Sequence, residues 1–227
     1  MTPGSTPRFV IAIDGPAAAG KSSTAQWVAE QLGFRHVDSG ALYRAVTAAA
    51  LRAEPMAERW DEVSVLRTAG VIGLEPGRTS FTPTLAGQDV SDEIRGPDVT
   101  RQVSRVAQMP VVRLWVNDRV RSAAREYDIV VDGRDMGTVV FPDAALKIFL
   151  VADPWERARR RLTERLARRP TESEVAEETD RLVQRDARDA MQTVQAKDAV
   201  LIDTTMLTQA EQVARIVALA QAALHRT

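Results

Sequence analysis

The sequence contains no cysteine and only two histidines, His36 and His225, among its 227 residues. The absence of thiols excludes disulfides, thiolate metal sites and cysteine nucleophiles. Two histidines this far apart in sequence do not indicate a zinc site either. Functions that depend on thiols are therefore excluded, and a zinc centre is not indicated.

Lysine is also scarce, because only Lys21, Lys147 and Lys197 occur among the 30 lysines and arginines. The two signs of charge nearly cancel, and the formal net charge is -1 at pH 7. A chain with this balance has no overall attraction to nucleic acid or to a membrane surface. We expect neither as a partner, so any basic binding site must be local.

Long apolar stretches are missing as well. No stretch reaches about 18 continuous apolar residues, the length that a membrane-spanning helix needs. Residues 1–7, MTPGSTP, offer no apolar segment for a signal peptide. We therefore expect a cytoplasmic protein, and 227 residues suffice for one α/β domain with excursions.

The strongest pattern present is FVIAIDGPAAAGKSST at residues 9–24. Its first five residues are apolar and rich in β-branched side chains, which predicts a parallel strand buried on both faces. Residues 15–22 fit the pattern G-x-x-x-x-G-K-[ST]. Apolar residues at 25, 28, 29 and 32 then have the spacing of one helix face. The order strand, loop, helix is typical of a phosphate-binding loop.

Each part of this loop has a role in holding phosphate. Gly15 and Gly20 allow backbone conformations in which N–H groups approach phosphate oxygens closely. The helix N-terminus adds positive potential, Lys21 can reach the β- and γ-phosphates, and Ser22 can ligate Mg²⁺. The alternative is a tight glycine turn that binds nothing. The pattern predicts these ATP-binding residues: Gly15, Pro16, Ala17, Ala18, Ala19, Gly20, Lys21, Ser22 and Ser23.

A short strand is predicted to begin at Arg35, and a second candidate anion site follows it at residues 38–44, DSGALYR. Asp38 or Ser39 can cap a new helix there. The guanidinium group of Arg44 can grip a phosphate with two hydrogen bonds. A capped helix with a packed Tyr43 and a solvated Arg44 explains the same residues equally well, so both interpretations stay open.

A third pattern is DIVVDGRDMG at residues 128–137, an apolar strand that ends in Asp132 and a glycine-punctuated loop. Such a loop lies at the carboxyl edge of a parallel sheet, where open α/β sheets bind ligands. Asp132 could position the Mg²⁺ ion of the phosphate loop, directly or through water. Arg134 and Asp135 could read a substrate that has anionic and donor groups. The alternative is a charged turn closed by an Arg134–Asp135 ion pair.

Prolines at positions 55, 76, 83 and 97 mark an insertion with a small hairpin, whose second strand is predicted near residues 81–85. We expect Asp98 to cap a helix that runs through Val106, and a longer helix to cover residues 111–126. Ser104 and Arg113 lie on these helices. Taken alone, both would be interpreted as surface residues.

A helix predicted after the capping residue Asp153 has an apolar stripe and a basic face. The stripe consists of Trp155, Ala158, Leu162 and Leu166, and the opposite face of Arg157, Arg160 and Arg168. Three interpretations compete: a solvated face, a helix that binds nucleic acid, and the edge of a lid that meets the transferred phosphate. The break RRPT at residues 168–171 favours a mobile helix–loop–helix lid, and the net charge argues against nucleic acid.

Two further strands are predicted, at residues 145–151 and 199–203, and an amphipathic helix follows the second of them. Strands thus alternate with helices throughout the core. This alternation predicts an α/β protein with a doubly wound, five-stranded parallel sheet and helices on both faces.

Several segments together resemble the bacterial cytidylate kinases, and the resemblance covers nearly the whole chain. They are GPAAAGKSS at 15–23, DSGALYR at 38–44, GQDVSDEIR at 87–95, GRDMGTVVFPDA at 133–144, KIFL at 147–150 and RDARD at 185–189. The resemblance implies a nucleoside monophosphate (NMP) kinase fold with a P-loop core at 1–61, 102–158 and 173–227, an NMP-binding insertion at 62–101 and a lid at 159–172. It also implies transfer of the γ-phosphoryl group of ATP, with Mg²⁺, to CMP or dCMP. We expect a monomer with these small-molecule partners.

The resemblance also implies roles for residues that match the family's motifs. Arg44 and Arg134 would hold the acceptor phosphate, Ser104, Arg113 and Asp135 would read cytosine, and Arg185 with Asp189 would hold the sugar. Ser39 and Tyr43 complete the substrate set, Lys21, Arg134, Arg160 and Arg161 are the catalytic candidates, and Ser22 and Asp132 are the metal candidates.

One position departs from the family pattern. The family often has an arginine where this chain has Gln192, so one cationic contact is lost or comes from a neighbour such as Arg188. A P-loop GTPase is the alternative from another class, and it should carry an N-K-x-D motif. The only asparagine, Asn117, is followed by Asp118, so that motif is absent.

Overall fold

Strands and helices alternate through most of the computed structural model, which describes residues 8–225. In chain order the elements are β1 Val10–Asp14, α1 Lys21–Leu32, β2 Arg35–Asp38, α2 Ser39–Ala53, α3 Glu62–Thr68, β3 Ile72–Pro76, β4 Phe81–Leu85, β5 Gln88–Asp89, α4 Pro97–Val106, α5 Pro110–Glu126, β6 Ile129–Asp132, β7 Leu146–Val151, α6 Pro154–Leu166, α7 Glu172–Asp189, β8 Val200–Asp203 and α8 Gln209–Leu224. Within the described range, no helix combines the length and apolar character needed to cross a membrane.

The central sheet has five parallel strands in the order β2-β6-β1-β7-β8, which confirms the predicted five-stranded parallel sheet. The first strand therefore lies in the middle and the second at one edge. In register, Ile13 and Asp38 both lie opposite Asp132. This register brings the carboxyl ends of β1, β2 and β6 to one edge of the sheet.

The residues of β1 alternate between two cores. Ile11 and Ile13 pack into a core formed with α1 and α8, whereas Val10 and Ala12 pack into a core formed with α2, α4 and α5. All five residues of β1 are buried, as expected for a strand covered by helices on both faces. The sheet is therefore doubly wound, as the sequence predicts.

A small antiparallel sheet of β3, β4 and β5 forms the hairpin of the insertion. Its turn contacts the edge strand β2, where the His36 N–H donates to the Thr79 carbonyl at 2.9 Å. The Arg35 guanidinium lies 3.5 Å above the Tyr127 ring and donates to the Gly77 carbonyl at 2.9 Å. The tip of the hairpin is thereby attached to the main sheet.

The caps of two helices differ in how well the sequence predicts them. Asp38 caps α2 by accepting from the Ala41 N–H at 2.9 Å, as expected. The predicted Asp98 cap is wrong, because α4 begins at Pro97 with Gly96 as its N-cap. Proline suits the first helical position because its missing N–H would have no helical partner. Asp98 lies instead inside the first turn.

The predicted faces of α6 are wrong at two positions. Arg157, expected on the basic face, is only 4% exposed, and Trp155, expected in the apolar stripe, is 40% exposed. Ala158 and Leu162 do form the buried stripe, which packs against α7. Arg157 can be buried on this side because the Asp186 carboxylate of α7 neutralises it at 2.6 Å.

Candidate active site

A cleft of about 900 Å³ opens at the carboxyl edge of the sheet, at the upper end of the usual range for ligand sites. Every predicted site residue except Gly15 and Pro16 lines it: Ala17, Ala18, Ala19, Gly20, Lys21, Ser22, Ser23, Ser39, Tyr43, Arg44, Ser104, Arg113, Asp132, Arg134, Asp135, Arg160, Arg161, Arg185 and Asp189. Residues that are far apart in sequence thus converge on one space.

The phosphate loop requires glycine at its first position. Gly15 has φ +147°, and a Cβ atom there would lie 2.1 Å from the Leu150 carbonyl oxygen of β7. Gly20 has φ +80° and directly precedes α1. Ala18 also has a positive φ, +57°, which is uncommon for a residue with a side chain. The loop is therefore wound closely against the sheet, and its backbone is strained at Ala18.

Lys21 is buried at the bottom of the cleft, and its ammonium group donates to the Pro16 carbonyl at 2.7 Å. Burial, and next the positive charge of Arg134, lower the pKa of Lys21 to about 7. Asp132 and Asp14 oppose this shift without cancelling it, and a bound phosphate would add further negative charge beside Lys21. The position of Lys21 thus favours an anionic ligand.

Asp132 connects the loop to the edge strand. One carboxylate oxygen accepts from the Ser22 hydroxyl at 2.6 Å, and the other lies 2.7 Å from His36 Nε2. Burial opposes ionisation, but the hydrogen bonds from His36 and Ser22 hold the pKa of Asp132 below its ordinary value. Asp132 is therefore an ionised carboxylate beside the first residues of α1. Its fixed contact with His36 was not foreseen from the sequence.

Asp14 is a second buried carboxylate that the sequence patterns did not single out. It accepts from the backbone N–H groups of Met136 and Gly137 at 2.9 and 2.8 Å. Burial raises the pKa of Asp14 to about 6 despite these bonds. The two donors begin a π-helical turn over residues 136–140, closed by Phe141 N–H to Met136 carbonyl at 2.7 Å. Asp14 thereby fixes the loop that carries Arg134 and Asp135. In the sequence, its position directly before Gly15 was the only sign that Asp14 belongs to the site.

On the far side of the cleft, Arg113 forms an ion pair with Asp135. A second bond from Arg113 to the Ala107 carbonyl at 3.0 Å fixes the guanidinium group. The alternative of an Arg134–Asp135 pair is therefore wrong. Ser104 is buried nearby on α4, so the expectation that Ser104 and Arg113 are ordinary surface residues is wrong too.

Three arginines project into the cleft between these two regions. Arg44 donates to the Ile94 carbonyl and the Thr100 hydroxyl at 3.1 and 3.0 Å. Arg134 and Arg185 both lie near the Asp189 carboxylate, at 3.4 and 3.7 Å. Burial, followed by repulsion from Arg134, lowers the pKa of Arg185 to about 10.

The charges of this group are not balanced. Within the described part of the chain, the buried Nε atoms of Arg134 and Arg185 have no hydrogen-bond partner. A buried donor without a partner costs about 1–3 kcal/mol, and more when it is charged. An anionic ligand in the cleft would balance the positive charge that the single carboxylate of Asp189 leaves on Arg134 and Arg185.

The two lid candidates on α6 make different contacts. Arg160 donates to the carbonyls of Thr204 and Thr205 at 2.6 and 2.8 Å. Arg161 forms an ion pair of 3.2 Å with the buried Glu178 of α7. Both line the cleft. A contact between either arginine and the transferred phosphate stays a prediction.

Gln192 lines the cleft, whereas Arg188 is exposed and is not among the lining residues. The Arg188 guanidinium contacts the Gln184 carbonyl of its own helix at 3.4 Å. At this point the cleft therefore presents an amide and no guanidinium group.

A parallel sheet with a glycine-bounded phosphate loop, a buried lysine and an arginine-lined cleft defines a P-loop phosphotransferase. Comparison with known proteins identifies one family within this class. The family model for cytidylate kinase matches residues 11–222, and this chain belongs to that family.

Individual relatives agree with the family assignment. A cytidylate kinase of Oceanobacillus iheyensis is 41% identical over 207 residues, which cover 90% of each chain. A cytidylate kinase of Exiguobacterium sibiricum is 42% identical over 221 residues, 96% of this chain and 99% of that protein. A solved structure of an uncharacterised protein from Eubacterium ventriosum has a TM-score of 0.53 at 11% identity and covers 94% of this chain and 99% of its own. That likeness concerns the fold alone.

Proposed function

We propose that the protein transfers the γ-phosphoryl group of ATP to CMP or dCMP, giving ADP and CDP or dCDP. The observation that carries the proposal is the group of Arg44, Arg134 and Arg185, which lines the same cleft as the phosphate loop. Cations fixed in this way call for a second phosphate opposite the loop, as a kinase with a phosphate acceptor needs.

The donor is proposed to bind along Gly15–Ser23, with its phosphates on the backbone N–H groups of the loop and on Lys21. Lys21 points toward the loop itself, since its ammonium group contacts the Pro16 carbonyl. Protonated Lys21 would stabilise the charge that develops between the β- and γ-phosphates.

Ser22 and Asp132 fit a Mg²⁺ site, because a hydroxyl and an ionised carboxylate lie together at the start of α1. Mg²⁺ prefers hard oxygen ligands and usually takes the remainder of its shell from water and substrate phosphates. When bound, the ion would neutralise charge on the donor phosphates.

The acceptor phosphate needs no strong base. Its second pKa is near 6, so at neutral pH it is largely a dianion. One of its oxygens attacks the γ-phosphorus while the bond from that phosphorus to the β–γ bridging oxygen breaks, and ADP leaves without a proton being removed. Arg44 and Arg134 would hold and neutralise the acceptor phosphate, so catalysis depends on alignment and charge.

Cytosine is proposed to bind against Ser104, Arg113 and Asp135. The fixed Arg113–Asp135 pair presents a donor and an acceptor side by side, which suits the carbonyl and amino groups of that base. A site built to hydrogen-bond such groups discriminates strongly against a base that lacks them. Asp189 would contact the sugar together with Arg185, and Ser39 and Tyr43 would complete the substrate pocket.

The boundaries of the insertion and the lid, the location and the oligomeric state are predictions as well. The insertion at 62–101 is supported by the separate β3–β5 sheet, and the lid at 159–172 by the break between α6 and α7. Closure of such a lid would exclude water and limit ATP hydrolysis. A cytoplasmic location, a monomeric state and the absence of nucleic-acid partners stay predictions from the composition.

The test is ADP production from Mg·ATP with CMP, dCMP, UMP, AMP, GMP or dTMP and a control without acceptor. We expect strong turnover with CMP and dCMP and little with purines. Arg185→Gln should raise the KM for CMP, whereas its matched control Arg188→Gln, one turn away on the exposed side of α7, should not. The proposal fails if no acceptor raises the rate of ADP production above that of the control without acceptor.

A further inference from the structure

The backbone of Ala17, in the middle of the phosphate loop, is held by two side chains from the lid side of the molecule. Its N–H donates to Asp186 Oδ1 at 2.9 Å, and its carbonyl accepts from Arg157 Nη1 at 2.7 Å. Arg157 and Asp186 also pair with each other at 2.6 Å. The two side chains therefore close a ring around one residue of the loop.

This arrangement is more than ordinary packing. Arg157 is 4% exposed, and its Nε atom donates to the Ala152 carbonyl at the end of β7. A buried ion pair is often no more stabilising than a pair of apolar side chains of similar volume. What the pair adds here is direction, because it fixes both polar groups of one backbone residue of the loop.

The residue that follows explains why the loop needs this support. Ala18 has φ +57°, a conformation that a residue with a side chain adopts only when its surroundings impose it. Contacts on Ala17 fix the chain immediately before that point. Arg157 and Asp186 together thus act as a clamp on Ala17, and the loop is held in this conformation before any ligand arrives.

The clamp also connects the two halves of the cleft. Asp186 belongs to α7, the helix that carries Arg185 and Asp189 into the acceptor side. Arg157 belongs to α6, which packs on α7 through Ala158 and Leu162. A single pair of helices thus contacts the donor loop on one side and the proposed acceptor site on the other.

We propose that Arg157 and Asp186 are positioning residues for the phosphate loop: by clamping Ala17 they hold the loop in its phosphate-binding conformation and register it with α7. They touch no substrate themselves. The inference rests on the proposed function in that it takes Gly15–Ser23 as the donor site. It predicts that loss of the pair weakens donor binding far more than acceptor binding.

The test compares nucleotide affinities by titration calorimetry, with Mg²⁺ and a non-hydrolysable ATP analogue for the donor and CMP for the acceptor. The double variant Arg157→Met/Asp186→Leu removes both charges together, so that no unpaired buried charge remains. We expect the Kd of the analogue to rise at least about tenfold, as loss of charged hydrogen bonds implies, and the Kd of CMP to change less than about twofold. In steady-state assays the KM for ATP should rise while the KM for CMP should not.

The matched control is Glu156→Gln/Arg159→Gln, which removes an ion pair on the outer face of α6. It should change neither affinity. Arg157→Lys, which keeps the charge, should restore part of the donor affinity that the double variant loses. If the double variant does not fold, the Kd values of the ATP analogue and of CMP are compared for Asp186→Asn instead, and we again expect the loss to concern the analogue.

The outcomes separate this inference from the proposed function. A folded variant that binds the analogue as tightly as the wild type would overturn the clamp alone, and so would equal losses for both nucleotides, which would indicate a general role in folding. A wild-type protein that binds no ATP analogue would overturn both.

Discussion

Replacing Lys21 by methionine should stabilise the free protein while it abolishes most of the activity. The side chain is buried and carries one hydrogen bond to the Pro16 carbonyl; burial and the charge of Arg134 lower its pKa more than Asp132 and Asp14 raise it. Methionine has a similar length and no charge, so it can occupy the same space without the cost of burying an ammonium group. The wild-type residue is therefore adapted to a ligand more than to the stability of the fold.

The size of the effect follows from the pKa of Lys21, which is lowered from 10.5 to about 7. Each pKa unit corresponds to about 1.36 kcal/mol, so the penalty on the folded state at pH 7 is at most about 4 kcal/mol. Losing the hydrogen bond to Pro16 destabilises the variant by about 1 kcal/mol. Water in the open cleft also makes the penalty on the wild-type lysine smaller. We expect a net gain of about 2 kcal/mol, or about 4–8 °C in Tm for a chain of this length.

The pH dependence of the gain has a definite sign. A lysine whose folded pKa is lowered destabilises the folded state fully below pH 7, where it is charged in both states. The penalty fades as the pH rises and disappears near 10.5, where the unfolded chain also loses the proton. The advantage of Lys21→Met should therefore be largest at pH 6–7 and small near pH 10.

The assay is denaturant or thermal unfolding without nucleotide from pH 6 to pH 10, together with ADP production at pH 7. Turnover should fall by about 10²–10³-fold, the usual loss for one electrostatic contact to a transition state. Lys197→Met is the matched control, because Lys197 is exposed and its replacement should change neither property. A variant that is less stable than the wild type at pH 7, or a gain that grows with pH, would refute the reasoning.

Three further changes test other parts of the cleft. Asp135→Ala should reduce the preference for CMP over UMP while the KM for ATP stays the same; an unchanged preference in acceptor competition would remove Asp135 from the base-reading set. Gly15→Ala should cost at least about 3 kcal/mol, seen as a lower Tm, because its Cβ would lie 2.1 Å from the Leu150 carbonyl; Gly33→Ala, with open space around it, should cost less. Gln192→Arg should lower the KM for CMP by up to about tenfold by adding a charged hydrogen bond, and a KM that does not fall would place the acceptor phosphate elsewhere.

The local pattern of the chain was sufficient to predict the phosphate loop, the five strands and the doubly wound sheet. The spacing of Gly15 and Gly20 expresses a local backbone requirement, and alternation of strands and helices restricts the sheet to a few arrangements. The cap at Asp38 was predictable for the same reason, since its partner Ala41 is three residues away. Signals of this kind need no knowledge of distant contacts.

Predictions failed where a distant residue decided the outcome. Arg157 was placed on a basic face opposite the apolar stripe because the sequence does not reveal that Asp186 of another helix neutralises it. Asp14 was overlooked because its donors, Met136 and Gly137, are more than 120 residues away. The Asp98 cap failed for a local reason, because the helix begins at Pro97, two residues earlier than a cap at Asp98 would place it.

The sequence by itself determined the class of chemistry: a phosphate loop in a chain rich in arginine and without thiols. Only the tertiary structure decided which charges meet. It paired Arg113 with Asp135, brought both Arg134 and Arg185 to the single carboxylate of Asp189, and bonded Arg157 to the backbone of the phosphate loop. The physical reason is that the energy of a charge depends on its burial and its nearest partners, and both are set by contacts between residues far apart in the chain.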